Sequence, residues 1–433
     1  MSISDTRTSP SCARRAFLAQ AAGAVGAIAC GPAFGALTGT DLNSAPISGV
    51  NQPELASVDD MMRSIMRDKV PGASFAVTKD RRLVYARGFG LADISTQQAV
   101  QPASLFRIAS VSKPFTAVAI LQFVEQKRLA LSDRVWDVLN LAEPADNRWK
   151  SITILNLLQH TGGWDRDQIR FDPMFAHVTI SRALNVASPV EPRHIIQYML
   201  TRPLEFDPGG RSTYSNFGYC LLGRVIERLA GASYEEHLQR AVLAPLGIRR
   251  MRLGKTLPAQ RAAGEVTYYD ERTAPSVFGK SVERVPLPYG AWSLEAMDSN
   301  GGWLASAVDL VRFAAAFDQP ATCPVLKAET IEKMFAPPEV KAAPEPDGLY
   351  WGCGWLVRSE GKHKLAHSSH NGITAGTSAY LMRRRDGIDW AVIFNTARGK
   401  EGEELILKVR DSVDAALAAV THWPDTDQFA RLL

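Results

Sequence analysis

The first chemical signal in the chain is Ser110-Val111-Ser112-Lys113. Apolar positions behind it, at Ala117, Ile120, Leu121 and Val124, recur at helical spacing, so Ser110 and Lys113 fall in the first turn of a helix. Side chains three apart share a helical face, which brings the Lys amine within reach of the Ser hydroxyl. A serine hydroxyl is a poor nucleophile until a base takes its proton. A lysine can be that base when desolvation or neighbouring cations lower its pKa enough to populate the neutral amine. The helix N-terminus adds backbone N–H groups and the positive end of a dipole, both suited to a developing oxyanion. The chemistry that fits is acyl transfer. A second Ser-x-x-Lys, Ser359-Glu360-Gly361-Lys362, lies in a polar turn with no helix behind it and reads as accidental.

Two further triplets have chemical potential. Tyr214-Ser215-Asn216 follows the turn Asp207-Pro208-Gly209-Gly210 and precedes a helix beginning near Phe217. A loop tyrosine there can relay a proton, acting as a base only if nearby cations stabilise its phenolate. Asn216 can offer its amide to a substrate carbonyl. His370-Asn371-Gly372 precedes a predicted strand at 377–382; Gly372 allows close approach of a ligand to the backbone, and His370 can orient a substrate. His-x-Gly alone carries little information, since His160-Thr161-Gly162 has the same form.

The order Ser-x-x-Lys, Tyr-x-Asn, His-x-Gly resembles the β-lactamase and penicillin-binding-protein superfamily. Its Tyr-x-Asn form is similar to the class C β-lactamase, D-Ala-D-Ala carboxypeptidase and esterase branch. Residues 154–163 (ILNLLQHTGG), 208–223 (PGGRSTYSNFGYCLLG) and 301–313 (GGWLASAVDLVRF) share that likeness, which runs from about Pro71 to Asn395. The resemblance implies a serine hydrolase with Ser110 as the acylated residue and Lys113 and Tyr214 sharing proton transfer. It implies an oxyanion hole from the Ser110 N–H and one near Ile373, with Asn216, His370, Asn371 and Gly372 flanking the substrate. It also assigns the neighbourhood of His160 to a structural segment. One departure matters: most β-lactamases carry Lys-Thr/Ser-Gly as the third motif, and this chain has no such triplet. Histidine there is frequent in peptidases and esterases, so β-lactam hydrolysis is demoted while remaining an alternative. Ala375 also stands where relatives often have Pro.

These residues need elements to position them. Helical patterns fill the middle of the chain, including Leu221, Leu222, Val225, Ile226 and Leu229. Strand patterns appear near both ends: 73–77 and 82–85 around a turn at Lys79-Asp80, then 354–358, 377–382 and 390–394, the last two flanking Asp386-Gly387. Helices are expected at about 53–67 and 403–419. The predicted class is α/β (α+β): an antiparallel sheet flanked by helices and built from both chain ends, with a mainly helical lobe inserted, as the resemblance also implies. Boundaries follow as a 1–36 leader, a 37–53 linker and a 54–433 domain, its sheet lobe at 54–95 and 350–433 and its helical lobe at 96–349. The site would lie in the cleft between lobes.

Composition narrows the partners. Net charge is +4 and the densest basic cluster, Arg383-Arg384-Arg385, leads into a hairpin turn, so no nucleic-acid footprint is expected. Arg14-Arg15, an Ala/Gly-rich apolar stretch and then small residues read as a twin-arginine export signal, implying a periplasmic or secreted protein. A lipid anchor at Cys30 is the lesser alternative. The apolar stretch is too short for a membrane span, and the mature chain should have no integral membrane segment. Cys220, Cys323 and Cys353 form no disulfide framework or zinc pair, and no cofactor is implied. A rival metal site, His363, His367 and His370, lacks a helical pattern and an accompanying base. A second rival is a sensor that acylates without turnover. No Gly-x-Ser-x-Gly occurs, which disfavours an α/β-hydrolase. Trp164, Tyr289, Trp292 and Trp303 are candidates to line a cleft for a small molecule or short peptide, and the loop from Trp164 to Arg202 is a candidate specificity element.

Overall fold

The computed structural model describes residues 45–279, 283–340, 348–359 and 365–432, so the leader and Cys30 lie outside the described residues. The main sheet contains β1 (Ile47–Gly49), β2 (Gly72–Lys79), β3 (Arg82–Asp93), β4 (Leu349–Trp351), β5 (Leu356–Ser359), β6 (Leu365–Thr374), β7 (Thr377–Arg384) and β8 (Ile388–Phe394). Their order is β1-β3-β2-β8-β7-β6-β5-β4, antiparallel throughout, and a ninth strand, Gln98–Ala99, pairs with β3. Both ends of the chain build the sheet, and helix-rich sequence fills the stretch between them. Among the described residues no helix is long and apolar enough to cross a membrane.

The central strands read as nearly continuous apolar runs because both faces of the sheet are covered. Side chains alternate between faces. Phe75, Val77, Trp390, Val392 and Phe394 enter one core, packed by α1 (Ala56–Met66) and by the last long helix, Leu405–Ala418. Ala76, Ala391 and Ile393 face the opposite core. That larger core contains α2 (Ser112–Glu125), α3 (Asn216–Ala230) and α4 (Ala307–Ala315), and the Leu405–Ala418 helix becomes α5. Helix α2 is buried from Ser112 to Leu121 without a break, as expected of a helix that is apolar nearly all round. Phe115 on α2 stacks on Phe313 of α4 with ring centroids 3.8 Å apart.

Two segments depart from the sequence reading. Residues 47–49, placed in a linker, pair with β3 as an edge strand. Edge pairing needs only backbone hydrogen bonds, and here the Ser48 hydroxyl also donates to the Val100 carbonyl at 2.5 Å. The larger departure is β6: His370-Asn371-Gly372 lie inside a strand and not before one. Its sequence is too polar to show alternation, yet β5 and β7 take up its backbone groups on either side and Ser368, Ser369 and His370 are buried. The hairpin at Asp386-Gly387 forms where its turn residues indicate, with Gly387 at φ +74°.

A small second sheet carries the turn that holds Ser110. Phe106–Arg107 pairs with Trp303–Ala305, which also pairs with Arg252–Leu253. The buried Arg107 guanidinium donates to the carbonyls of Pro288 at 2.7 Å and Lys255 at 2.8 Å, and lies 4.4 Å from the Tyr268 ring centroid. The Thr377 hydroxyl, at the start of β7, donates to the Arg107 carbonyl at 2.8 Å. These bonds press residues 108–110 against β6. A Cβ on Gly372 would lie 2.1 Å from the Ile108 carbonyl oxygen and 3.1 Å from the Ser110 nitrogen. Only a residue without a side chain permits this approach. Gly372→Ala is therefore expected to cost about 1–3 kcal/mol or more in overpacking, measurable as a lowered denaturant midpoint.

Candidate active site

Ser110 sits in the short 3-10 turn Ala109–Val111 that leads into α2, and Ala109 occupies a left-handed conformation at φ +46°. The serine is half-buried, while Lys113 is completely buried on the first turn of α2. The Lys113 amine is 3.0 Å from Ser110 Oγ, 2.8 Å from Asn216 Oδ1 and 2.7 Å from the Asn300 carbonyl oxygen. Both the amide oxygen and the carbonyl can only accept, so they occupy two N–H groups. The third direction faces Ser110, where an ammonium donates but a neutral amine accepts the hydroxyl proton. Burial, assisted by the nearby Arg166 cation and opposed by Asp172, holds the Lys113 pKa well below its ordinary 10.5.

Tyr214 and Asn216 arrive together at the start of α3. Ser215 caps that helix, its hydroxyl accepting from the Gly218 N–H at 3.1 Å, which places Asn216 on the first turn and Tyr214 just outside it. The Lys113 nitrogen lies 4.8 Å from the Tyr214 ring centroid. The phenol is buried and lies near the Ser110 hydroxyl without closing a full hydrogen bond. Burial raises its pKa, outweighing the lowering by Arg166 and by Ser110. Burial thus favours the neutral form of both groups, the amine of Lys113 and the phenol of Tyr214.

His370 and Gly372 form the opposite wall. His370 is buried, and its Nδ1 lies 2.7 Å from the Asn371 carbonyl, an acceptor, so that nitrogen carries the proton. Burial and the neighbouring Lys113 hold its pKa at about 3, leaving a neutral ring. Asn371 pairs with Tyr380 on β7 and contributes that carbonyl. Ile373 follows at the cleft surface. Ser110, Lys113, Tyr214, Asn216, His370 and Gly372 therefore share one neighbourhood. Asn371 and Ile373 alternate with His370 and Gly372 along β6 and turn their side chains to the other face of the sheet, Ile373 packing on the second core while still bordering the cleft. His363 lies outside the described residues. His367 and His370 are three apart in a regularly paired strand and so point to opposite faces, which separates them as metal ligands.

Three residues belong here that no motif marked as part of the site. His160, assigned to a structural segment, has its ring 4.6 Å from Tyr214 and 4.9 Å from Trp351, and its Nδ1 accepts the Ser215 N–H at 3.2 Å. Its His-x-Gly triplet is the signal the sequence offers. Arg166 and Asp172 carried none: each resembles an ordinary loop charge, yet both are largely buried and ion-paired at 3.2 Å. Of the four aromatic candidates only Trp292 lines the main cleft. Trp303 is fully buried beside Tyr234, Trp164 packs on Trp149 and Phe217, and the Tyr289 hydroxyl accepts the Tyr268 N–H at 2.7 Å.

The cleft holds about 390 Å³ and opens at Ser110, with Phe171, Phe175, Leu287, Trp292 and Met297 among its walls. That volume suits a small organic molecule or short peptide side chain. Phe171 and Phe175 come from the 164–202 segment, which reaches the site but folds into the helices Arg166–Ile169, His177–Leu184 and Pro192–Leu200 where the sequence reads as a loop.

Comparison with known proteins agrees with this arrangement. The family model described as Beta-lactamase matches residues 58–414. Esterase EstB of Burkholderia gladioli is 27% identical, over 83% of this chain and 95% of its own. Penicillin-binding protein 4* of Bacillus subtilis (strain 168) is 26% identical, over 76% of this chain and 69% of its own. The solved octameric penicillin-binding protein homologue from Pyrococcus abyssi superposes with a TM-score of 0.64 at 25% identity, covering 86% of this chain and 80% of that one. A match spanning most of the chain, together with the same fold, establishes that the chain belongs to the Beta-lactamase family and is a serine hydrolase.

Proposed function

We propose that this site hydrolyses a carboxylic ester or an amide bond through an acyl-enzyme on Ser110. The observation that carries the reading is the fully buried Lys113 amine, 3.0 Å from Ser110 Oγ, with two other contacts that can only accept. Neutral Lys113 takes the hydroxyl proton as Ser110 Oγ bonds to the acyl carbon. Tyr214 gives its proton to the departing alcohol or amine and is reprotonated from Lys113. Water then repeats the sequence in reverse and releases the acid. The Ser110 N–H, with that of Ile373, is assigned to the oxyanion, and Asn216, His370 and Gly372 frame the substrate, with Asn371 contributing through the carbonyl that holds His370.

The neutral His370 bears on substrate choice. A third motif with a cation offers charge to the carboxylate of a β-lactam, whereas a histidine with a pKa of about 3 offers none. The name of esterase EstB points to an ester donor and those of the penicillin-binding proteins to a β-lactam ligand, and the apolar cleft suits either. Arg14-Arg15 and the apolar stretch after them support export by the twin-arginine route to the periplasm or beyond.

Purified protein should turn over an activated ester or a D-Ala-D-Ala peptide faster than a chromogenic cephalosporin. Ser110→Ala should lose about 10³-fold or more in kcat, and mass spectrometry should find a trapped acyl group on Ser110 only in the parent protein. Turnover by Ser110→Ala at the parent rate overturns the mechanism; acylation without release identifies a sensor instead.

A pH profile tests the base. Because Lys113 loses its proton well below 10.5, kcat/KM should rise with pH along an acid limb well below that value and hold above it. Lys113→Met should lower acylation by about 10²–10⁴-fold and remove the limb.

A further inference from the structure

Arg166 opens the short helix Arg166–Ile169, and Asp172 caps the 3-10 turn Pro173–Phe175 by accepting the Met174 N–H at 3.0 Å. Their side chains are only 8% and 14% exposed, in a segment whose neighbours Asp167, Ile169 and Arg170 face solvent. One Asp172 oxygen serves two partners: it receives Arg166 Nη1 at 3.2 Å and Asn216 Nδ2 at 2.7 Å. The Arg166 guanidinium lies 4.8 Å from the Tyr214 ring centroid. The ion pair therefore touches both Asn216 and Tyr214, two of the side chains around Lys113.

We infer that the Arg166–Asp172 pair is the positioning element of the site: Asp172 fixes which way the Asn216 amide faces, and Arg166 sets the charge environment of Lys113 and Tyr214. The inference rests on the acyl-enzyme reading above.

The amide argument is one of donors and acceptors. A carboxylate only accepts, so it must be met by the Asn216 NH2, and the Asn216 oxygen is then turned toward the Lys113 amine. A flipped amide would set donor against donor at Lys113 and acceptor against carboxylate at Asp172. Asn216 is thereby locked as an acceptor, which keeps one Lys113 N–H occupied and leaves the remaining direction to Ser110.

The charge argument has opposite signs for the two partners. Arg166 favours the neutral amine of Lys113, while Asp172 favours its ammonium. For Tyr214, Arg166 favours the phenolate and Asp172 the phenol. Arg166 also meets the carboxylate of Asp167 at 3.7 Å, and the remaining groups around Lys113 and Tyr214 are neutral across the working range. His160 and His370 are held far below their ordinary value by burial, and Tyr219, whose ring centroid is 5.7 Å from the Lys113 nitrogen, is held above its own. The acid limb therefore reports Lys113 under the influence of the Arg166–Asp172 pair.

The test is a set of kcat and kcat/KM pH profiles with an activated ester on the full chain. Arg166→Met should move the acid limb up by about one pH unit and so lower kcat about tenfold at pH values on the limb, because the unopposed carboxylate stabilises the Lys113 ammonium. Asp172→Asn, which can still cap the 3-10 turn, should move the limb down, and its freed Asn216 amide should lower kcat on the plateau. Arg166→Lys should return the limb to the parent position. Ser110→Ala, run alongside, decides the acyl-enzyme reading by itself, so the limbs judge the ion pair alone. Shifts in the same direction for Arg166→Met and Asp172→Asn, or lost activity with no shift, overturn the inference. Thermal unfolding identifies any variant that fails to fold, and in that event Asp172→Asn and Arg166→Lys carry the test through the same limbs.

Discussion

A lysine amine buried at the centre of a protein must find acceptors or shed its proton, and much of this structure follows from how Lys113 is accommodated. Helix α2 has no solvent face along its first ten residues, so the amine cannot reach water by a change of rotamer. Its partners instead come from the turn just before it and from two remote places, the first turn of α3 and the short helix Asp298–Gly301. Each must be delivered to within about 3 Å, which ties the packing of α2 against α3 and against the Trp303–Ala305 strand to the chemistry. The same burial that makes a charged amine costly makes the neutral amine available as a base.

The cleft forms at the seam between the large sheet and the helix-rich stretch, and β6 is the wall on the sheet side. The strand is polar because it faces a reaction centre along half its length, while its backbone is satisfied by β5 and β7. Gly372 lets it lie against the Ile108 carbonyl, closer than any side chain would allow. Across the seam, Arg107 fixes the turn from behind through the carbonyls of Pro288 and Lys255. Ser110 is thus held between two rigid supports, which is what the proposed oxyanion site requires.

His370 shows how a single position redirects a shared framework. Its ring is buried against Trp351 and Tyr214, and Lys113 lies close enough to oppose a second positive charge. A neutral group at that wall supplies shape and a hydrogen-bonding edge where a cation would supply charge.

Local pattern was sufficient for whatever depends on neighbours along the chain. The spacing of Ser110 and Lys113 is a helical repeat, Ser215 caps α3 through a bond three residues long, and the turn at Asp386-Gly387 requires its glycine. The order of the three motifs then identified the family, and with it the antiparallel sheet made from both chain ends. Strand β6 escaped notice because its pairing partners, not its own alternation, make it a strand. The edge strand at 47–49 did so for the same reason. Arg166 and Asp172 were illegible because a charged residue in a loop looks identical whether water or a phenol ring surrounds it. Burial is a property of what packs above the residue. For those two side chains it was decided by the meeting of the 164–175 segment with α3, a contact between residues some forty positions apart that no periodicity records.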